Sequence, residues 1–423
     1  MDVESADPFP REQLTELLGR AERVRARRRR VQIWLFGAGL ATLALGLPTE
    51  RLWGDMELVR LTAGNGQRSY GLLFPLAVAL KSMLGMSAEQ ACFLLSALCY
   101  GLCLPALVSL LRTVGFEHGL AALASGTALV GSAAWLGATQ PGGFGAGILG
   151  ATLLLRSLFQ TRERIANGYQ WRAALYLTLA FFLSPENLLL FPSVAWAVAR
   201  HRGRGRLQGP PAAAMLALAG GVPLLVLLSA GQGEASSWGH LLDTLLAGRH
   251  PGLGYLPGWI LYLVGGLGVG LFGIYSLLFG RRLPEETPAP KWMVPWCLVI
   301  LAPVVAGSPA EGPVGAYLIP AAAVGLADWL TRRGRGDRAL LAGTWLCACQ
   351  LVLTAVVVTG WSLGDPLRAW RASAQMHLEP NDVVLVRDPR RGYLLEQRWG
   401  MTTFPVEADG EGALGAGLPA EVR

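Results

Sequence analysis

The feature that most constrains this chain is a series of apolar segments, many of them long enough to be membrane-spanning helices. Of its 423 residues, 52% are hydrophobic and 15% are charged, whereas an ordinary soluble domain is about 25% charged. A helix needs about 20 apolar residues to cross the hydrocarbon core. The pattern therefore predicts an all-α polytopic membrane protein with about eleven transmembrane helices. The predicted spans are residues 31–48, 91–111, 119–139, 141–158, 173–184, 187–199, 211–230, 256–280, 292–308, 314–330 and 339–361.

The fifth and sixth of these segments, 173–184 and 187–199, are each too short to span the membrane alone. We expect them to form a helical hairpin that is broken at residues 184–187. Glu186 lies in this break. It is either an ionisable group at membrane depth, where such groups are usually functional, or a solvated turn at the outer surface.

The distribution of basic residues predicts the orientation. If the N-terminus is cytoplasmic, 24 Lys and Arg residues lie in inner segments and 5 in outer loops, while 7 lie in the C-terminal tail. Short inner loops are enriched in Lys and Arg. The basic segment 1–30, with eight Arg, is therefore predicted to be a cytoplasmic arm, and the first span a retained signal anchor. The net charge of +7 follows from this topology and does not call for a nucleic-acid partner.

The membrane domain is predicted to cover residues 31–361, with outer loops at 49–90 and 231–254. In the first loop, the apolar run from Leu72 to Leu84 contains Lys81 and is predicted to be a helix lying in the outer interface. The tail, 362–423, is predicted to be extracytoplasmic and partly disordered, with a strand-like stretch at 382–387.

All six Cys residues lie within apolar segments. A metal or redox site would need further ligands, and no His or carboxylate neighbours supply them. We therefore expect small buried apolar side chains and no metal site. The residues are Cys92, Cys99, Cys103, Cys297, Cys347 and Cys349.

Four short motifs occur at predicted outer positions. They are Pro48-Thr49 with Gly54-Asp55-Met56-Glu57-Leu58, the break at 184–187, Trp238-Gly239 with Leu245, Leu246 and Arg249, and Leu378-Glu379-Pro380-Asn381-Asp382-Val383-Val384-Leu385. Together with the basic arm, the single first span and the interfacial helix, they resemble the GT-C class of membrane glycosyltransferases. More specifically, the chain is similar to a poorly characterised bacterial family related to protein O-mannosyltransferases.

The resemblance implies an inverting enzyme in the bacterial inner (plasma) membrane. It would move a sugar from a polyprenyl phosphate donor to an acceptor on the extracytoplasmic face. The implied partners are that donor, membrane lipids, and a protein, glycan or lipid acceptor. No cofactor is required, and the participation of a divalent cation stays open.

In the family mechanism, a carboxylate at the membrane edge takes the proton of the acceptor hydroxyl. The resemblance assigns this role to Asp55, with Glu57 assisting it or binding a cation. The alternative is a solvated loop whose acids cap a helix that begins near Asp55. The predicted substrate-binding residues are Arg60, Arg68, Tyr70, Glu186, Trp238, His240, Arg249 and His250.

The cationic members of this set, which are the three Arg residues and His250, would stabilise the departing phosphate. Anchoring to lipid headgroups is the alternative for each.

The chain departs from the family pattern in two places. Residues 67–71 replace a His-Pro-Pro-Gly-type turn, and His240 stands where an acid is usual. These departures leave open an altered acceptor or a catalytically weak member. The competing hypothesis is a transporter or lipid flippase without chemistry, and a third is a non-catalytic scaffold descended from such an enzyme, which the missing turn favours. A transporter would show internal pseudo-symmetry and charged residues along a midplane route.

Overall fold

A computed structural model describes residues 11–46, 73–138, 144–163, 175–180, 183, 264–279, 318–333, 336–363, 383–386 and 402–405. Nearly all of these residues are helical, as the all-α prediction requires. Several of the eleven predicted spans lie outside these ranges, so the number of spans stays a prediction.

The longer helices in the described ranges are α1 (Arg11–Gly46), α2 (Leu73–Leu84), α3 (Ala88–Val114), α4 (His118–Leu129), α5 (Ser132–Ala138), α6 (Phe144–Glu163), α7 (Gly270–Phe279), α8 (Ile319–Arg333) and α9 (Asp337–Leu363). Two short strands, β1 (Val383–Val386) and β2 (Thr402–Pro405), pair in parallel. Strand β1 confirms the extended stretch predicted at 382–387.

The basic arm and the first predicted span belong to one helix, α1. Its 36 residues extend about 54 Å at 1.5 Å per residue. Arg20 to Arg30 are exposed, and so are Trp34 and Phe36 further along, which are 56% and 70% exposed. The helix thus changes from a polar to an apolar surface near residue 31.

Helix α3 lies at the centre of the packed helices and contacts α1, α2, α4 and α6. A capping box fixes its start: Gln90 N donates to Ser87 Oγ at 3.2 Å, and Ser87 N donates to Gln90 Oε1 at 3.0 Å. Gly115, with φ of 108°, ends it in the left-handed region that favours glycine. The cap and the glycine together give a helix of defined length for the others to pack on.

Glycines bring the helix backbones close together. A Cβ atom on Gly37 of α1 would lie 2.6 Å from the carbonyl oxygen of Gly101 in α3. At Gly145 of α6, a Cβ would lie 2.7 Å from Ser96 O. In α7 and α8, Gly273 and Gly325 face each other with no room for a Cβ on either. Small residues at such crossings allow close van der Waals packing, which drives helix association in lipid.

Several arginines lie at one end of the helix bundle. Helices α1 and α3 run in opposite directions, with Gly37 and Ala41 beside Gly101, so Arg29 lies near the level of Arg112 and of the turn that joins α3 to α4. Partial burial, together with the positive charges of Arg112 and Arg29, lowers the pKa of His118. Leu340 of α9 lies against Gly119, and Leu330 of α8 lies against Gly343. The ends of α8 and α9 that carry Arg332, Arg333 and Arg338 therefore lie at the same side. We call these five arginines, Arg29, Arg112, Arg332, Arg333 and Arg338, the arginine end.

Two predicted spans are interrupted in the structure. The span predicted at 119–139 is not one helix, because α4 ends at Leu129 and α5 begins at Ser132. Within the span predicted at 256–280, a turn at Gly268 and Val269 separates residues 264–267 from α7. Gly268 has φ of 52°, which other residues rarely adopt. Hydropathy alone did not distinguish these breaks from continuous helix.

Two described helices are long and apolar enough to cross a membrane by length and composition, with mean hydropathy of 2.1 for Ala88–Val114 and 2.0 for Asp337–Gly360. Helix α3 is mostly buried, as the core helix of any protein would be. Helix α9 gives the more specific signal, because most of its apolar surface is exposed. Trp345 and Val352 are 67% and 65% exposed, and a surface of this kind is stable in hydrocarbon.

Helix α2 confirms the helix predicted between Leu72 and Leu84. It packs Leu73 and Ala77 against the core and leaves Leu76, Val78 and Met83 exposed. At 12 residues it is too short to cross a membrane alone. Its position in the outer interface stays a prediction.

Candidate functional site

The predicted catalytic and substrate-binding residues lie outside the described residues. Helix α1 nevertheless leads to the start of the segment that holds the acids. Helix α1 runs from Arg29 at the arginine end, past Gly37 beside Gly101, to Gly46. The residues outside the described part are Asp55, Glu57, Arg60, Arg68, Tyr70, Glu186, Trp238, His240, Arg249 and His250.

The two helix breaks lie against each other and against α9, and form the largest buried polar cluster that the described residues contain. A Cβ on Gly131 would lie 3.0 Å from the carbonyl oxygen of Gly266. Ser132 Oγ donates a hydrogen bond to the carbonyl of Gly265. Buried backbone groups outside regular helix must find partners within the protein, and the two breaks supply partners to each other.

Gln350 of α9 completes this cluster. Its side chain is fully buried, and its Oε1 accepts from Val269 N at 2.7 Å. Its Nε2 donates to Thr354 Oγ1 at 3.2 Å, and Thr354 Oγ1 donates to Val130 O at 2.7 Å. One glutamine and one threonine on the same face of α9 therefore join both breaks.

The chemistry of the Gln350 cluster is that of a scaffold. A side-chain amide does not ionise near neutral pH, and the oxygen and nitrogen of this amide both have partners. The cluster contains no carboxylate, imidazole or amine. It holds helices in register, and the described residues place no base beside its two hydroxyls, those of Ser132 and Thr354.

Our sequence analysis missed Gln350. The signal was present, because Gln350 is a strongly polar side chain in the middle of an apolar span, four residues before Thr354. That spacing places both side chains on one helix face.

We expect Gln350→Met to lower the free energy of unfolding by about 1–3 kcal/mol, since it leaves the buried Val269 N–H without an acceptor at nearly constant side-chain volume. Thr354→Val should lower the free energy of unfolding less when it is combined with Gln350→Met than when it is made alone, because the two side chains share one hydrogen-bond network. Val352→Met, on the exposed face of α9, is the matched control. Thermal unfolding of the purified protein in detergent measures each effect, and equal melting temperatures for the 350 and 352 variants would contradict the assignment.

A second buried polar group is Asp328 of α8, which is 7% exposed. Arg332 Nη2 donates to its Oδ2 at 2.9 Å, and Ser276 Oγ of α7 donates to the same oxygen at 3.4 Å. Asp328 lies in the span predicted at 314–330, and the sequence analysis gave it no role. Its carboxylate is held by a guanidinium, so it links α8 to α7 at the arginine end and is not placed to act as a free base.

The cysteines match the expectation only in part. Cys92, Cys99 and Cys103 are buried in the α3 core, where Cys103 Sγ donates to Cys99 O at 3.2 Å. Cys347 is half-buried and Cys349 is exposed, so the expectation of burial was wrong for α9. These two lie on a helix whose surface is mostly exposed. Cys297 lies outside the described residues, and the described ones contain no group of three or more candidate metal ligands.

Comparison with known proteins adds no assignment. No family model matches the chain, and no curated protein matches it either. The likeness to the GT-C class therefore stays a prediction from the four short motifs. Of these motifs, only Val383, Val384 and Leu385 lie in the described residues, where they form most of β1.

Proposed function

We propose that this chain is a membrane-embedded glycosyltransferase of the GT-C type. It transfers a sugar from a polyprenyl phosphate donor to an acceptor on the extracytoplasmic face, and Asp55 is the general base. The observation that carries the proposal is the position of Asp55 and Glu57 directly after the first apolar helix. The basic half of helix α1 comes first, and the helix then extends away from the arginine end to Gly46. This direction supports a position for Asp55 and Glu57 on the side opposite the arginines.

The reaction follows from the chemistry of the two substrates. The acceptor oxygen attacks the anomeric carbon as Asp55 takes its proton, while the bond from that carbon to the phosphate oxygen breaks. Polyprenyl phosphate leaves with the electron pair, and the anomeric configuration inverts. A single base suffices, because a phosphate leaves without strong protonation. Arg60, Arg68, Arg249 and His250 are the proposed cations for the charge that develops on the phosphate.

The direct test uses the purified full-length protein in lipid nanodiscs with a panel of labelled polyprenyl phosphate sugars. Acceptors are offered as protein, glycan and lipid fractions, with and without Mg²⁺. We expect labelled product together with release of polyprenyl phosphate from one donor. A folded protein that releases no polyprenyl phosphate from any donor, above a protein-free blank, would contradict the proposal.

One structural observation favours a transporter as the second candidate. The helix breaks at residues 130–131 and 268–269 meet inside the bundle, and transporters use interrupted helices to form their binding sites. In this chain, however, Gln350 and Thr354 already bind the freed backbone groups of Val269 and Val130. A transporter would lose uptake in the Gln350→Met variant at temperatures where the variant is folded. The proposed transferase would keep its turnover there.

A further inference from the structure

Two cations and a histidine converge at the arginine end, between α1 and the turn that joins α3 to α4. Arg112 Nη1 donates to Phe116 O at 3.0 Å, which holds the guanidinium over that turn. Helix α1 crosses α3 with Gly37 beside Gly101 and Pro105 and with Ala41 beside Gly101, so the two helices are antiparallel and Arg29 lies about level with Arg112. Three separate helices therefore contribute one cationic or ionisable side chain each to a small area.

These cations have no acidic partner among the described residues. The ion pairs found there join Arg20 to Glu16 and Arg332 to Asp328, and neither involves Arg29 or Arg112. Glu117, the residue before α4, makes no capping hydrogen bond, so the N–H groups of the first turn add further positive charge. The Glu117 carboxylate contributes one negative charge beside His118, and the two arginines leave the cluster positively charged, which favours an anionic ligand.

Charged groups on the neighbouring helices do not neutralise the cluster. Helix α9, whose Leu340 lies against Gly119, begins with Asp337 and Arg338, which offset each other. On α8, Arg332 is paired with Asp328, and Arg333 lies over the ring of Trp329 at 4.9 Å from its centroid. Arg29, Arg112 and Arg338 therefore outnumber Glu117 and Asp337, and the net charge around His118 stays positive.

The adjacent surface of α1 identifies the kind of anion. Just beyond Arg29 and Arg30, the exposed side chains are Trp34, Leu35 and Phe36, which are 56%, 66% and 70% exposed. Cationic residues followed by exposed aromatic residues are typical of the boundary between lipid headgroups and hydrocarbon. A ligand with a phosphate and acyl chains matches both the cationic side chains and the exposed apolar side chains of α1. A small anion matches only the cationic side chains.

We propose that Arg29, Arg112 and His118 bind the phosphate of an anionic phospholipid, whose acyl chains lie along the exposed apolar side of α1. Guanidinium groups bind phosphate by charge-assisted hydrogen bonds. The bound lipid relieves the repulsion among the three side chains and ties α1 to the α3–α4 turn. This site is at the opposite end of α1 from the residues proposed for sugar transfer and does not depend on that activity.

The test follows the titration of His118 by ¹³C NMR in the full-length protein in detergent, with the signal assigned through the His118→Gln variant. Phosphatidylglycerol is added at a few molecules per protein, in parallel with phosphatidylcholine and with inorganic phosphate. We expect phosphatidylglycerol to raise the pKa of His118, because a negative phosphate offsets the charges of Arg112 and Arg29. The other two additions should raise it less at the same concentration.

The matched pair of variants is Arg29→Gln and Arg20→Gln, which remove the same charge from the same helix. Arg20 is exposed and already paired with Glu16. Arg29→Gln should raise the pKa of His118 without lipid and weaken phosphatidylglycerol retention in native mass spectrometry about fivefold. Arg20→Gln should change neither.

Three results would overturn the site: no effect of phosphatidylglycerol on His118, an equal loss of lipid in both variants, or an equal effect of inorganic phosphate. An equal loss of phosphatidylglycerol in the two variants would mean that the whole basic half of α1 attracts the lipid without a specific site.

Discussion

Replacing Asp55 with Asn is expected to lower the rate of sugar transfer about 10²- to 10⁴-fold, the range typical of a lost general base. Asn keeps the size of the side chain but cannot accept the proton of the acceptor hydroxyl. The measurement is the initial rate of polyprenyl phosphate release under saturating donor. Glu57→Gln should reduce the rate by a smaller factor if Glu57 only assists Asp55.

The control for this variant is Asp337→Asn, which makes the same change in the first turn of α9 at the arginine end. It should keep the wild-type rate, and both variants should insert in the membrane and melt as the wild type does. Transfer at the wild-type rate in Asp55→Asn would remove Asp55 as the base. It would leave the proposed lipid site untouched, because that site involves α1, α3 and α4 at the other end.

Replacing Gly325 with Ala is expected to destabilise the protein by about 3 kcal/mol, at the upper end of the usual range for overpacking. The added Cβ would overlap the backbone of Gly273. Backbone atoms cannot rotate away as a side chain can, so α7 and α8 must separate along their whole contact. Thermal unfolding in detergent, followed by tryptophan fluorescence, should show a lower melting temperature.

Gly126→Ala in α4 is the matched control, because nothing lies within 4 Å of the Cβ that it would add. There the substitution should raise stability by up to about 1 kcal/mol through the better helix propensity of alanine. The two substitutions are thus expected to have opposite signs. A Gly325→Ala protein that melts at or above the wild-type temperature would contradict the close crossing of α7 and α8.

The sequence predicted several elements well, because their signals are local. The apolar runs at 91–111 and 339–361 became α3 and α9 with ends displaced by a few residues. The apolar run between Leu72 and Leu84 became α2, and the extended stretch became β1. In each case the residue pattern that predicts the element lies within the element itself.

The candidate site is a different case, because its residues were predicted from short motifs and none of them lies in the described part of the chain. Asp55 as the base therefore still depends on the resemblance and on the direction of α1. Gln350 and Asp328, which the structure brought to attention, have partners 81 and 52 residues away. Such partners leave no periodic signal in one sequence, so only the folded chain identifies them.

The sequence by itself determined the apolar, helical character of the described segments, and it placed the arginines at segment ends that the fold gathers on one side. These properties follow from local composition, since each segment must satisfy its own backbone in a helix. The tertiary structure decided which glycines are needed for close packing of the helices. Gly37 contacts Gly101, while Gly39 on the same helix has nothing within 4 Å of its Cβ position. It also decided where helices break, because a break at Val130 or Gly268 is stable only when a distant side chain such as Thr354 or Gln350 binds the freed backbone.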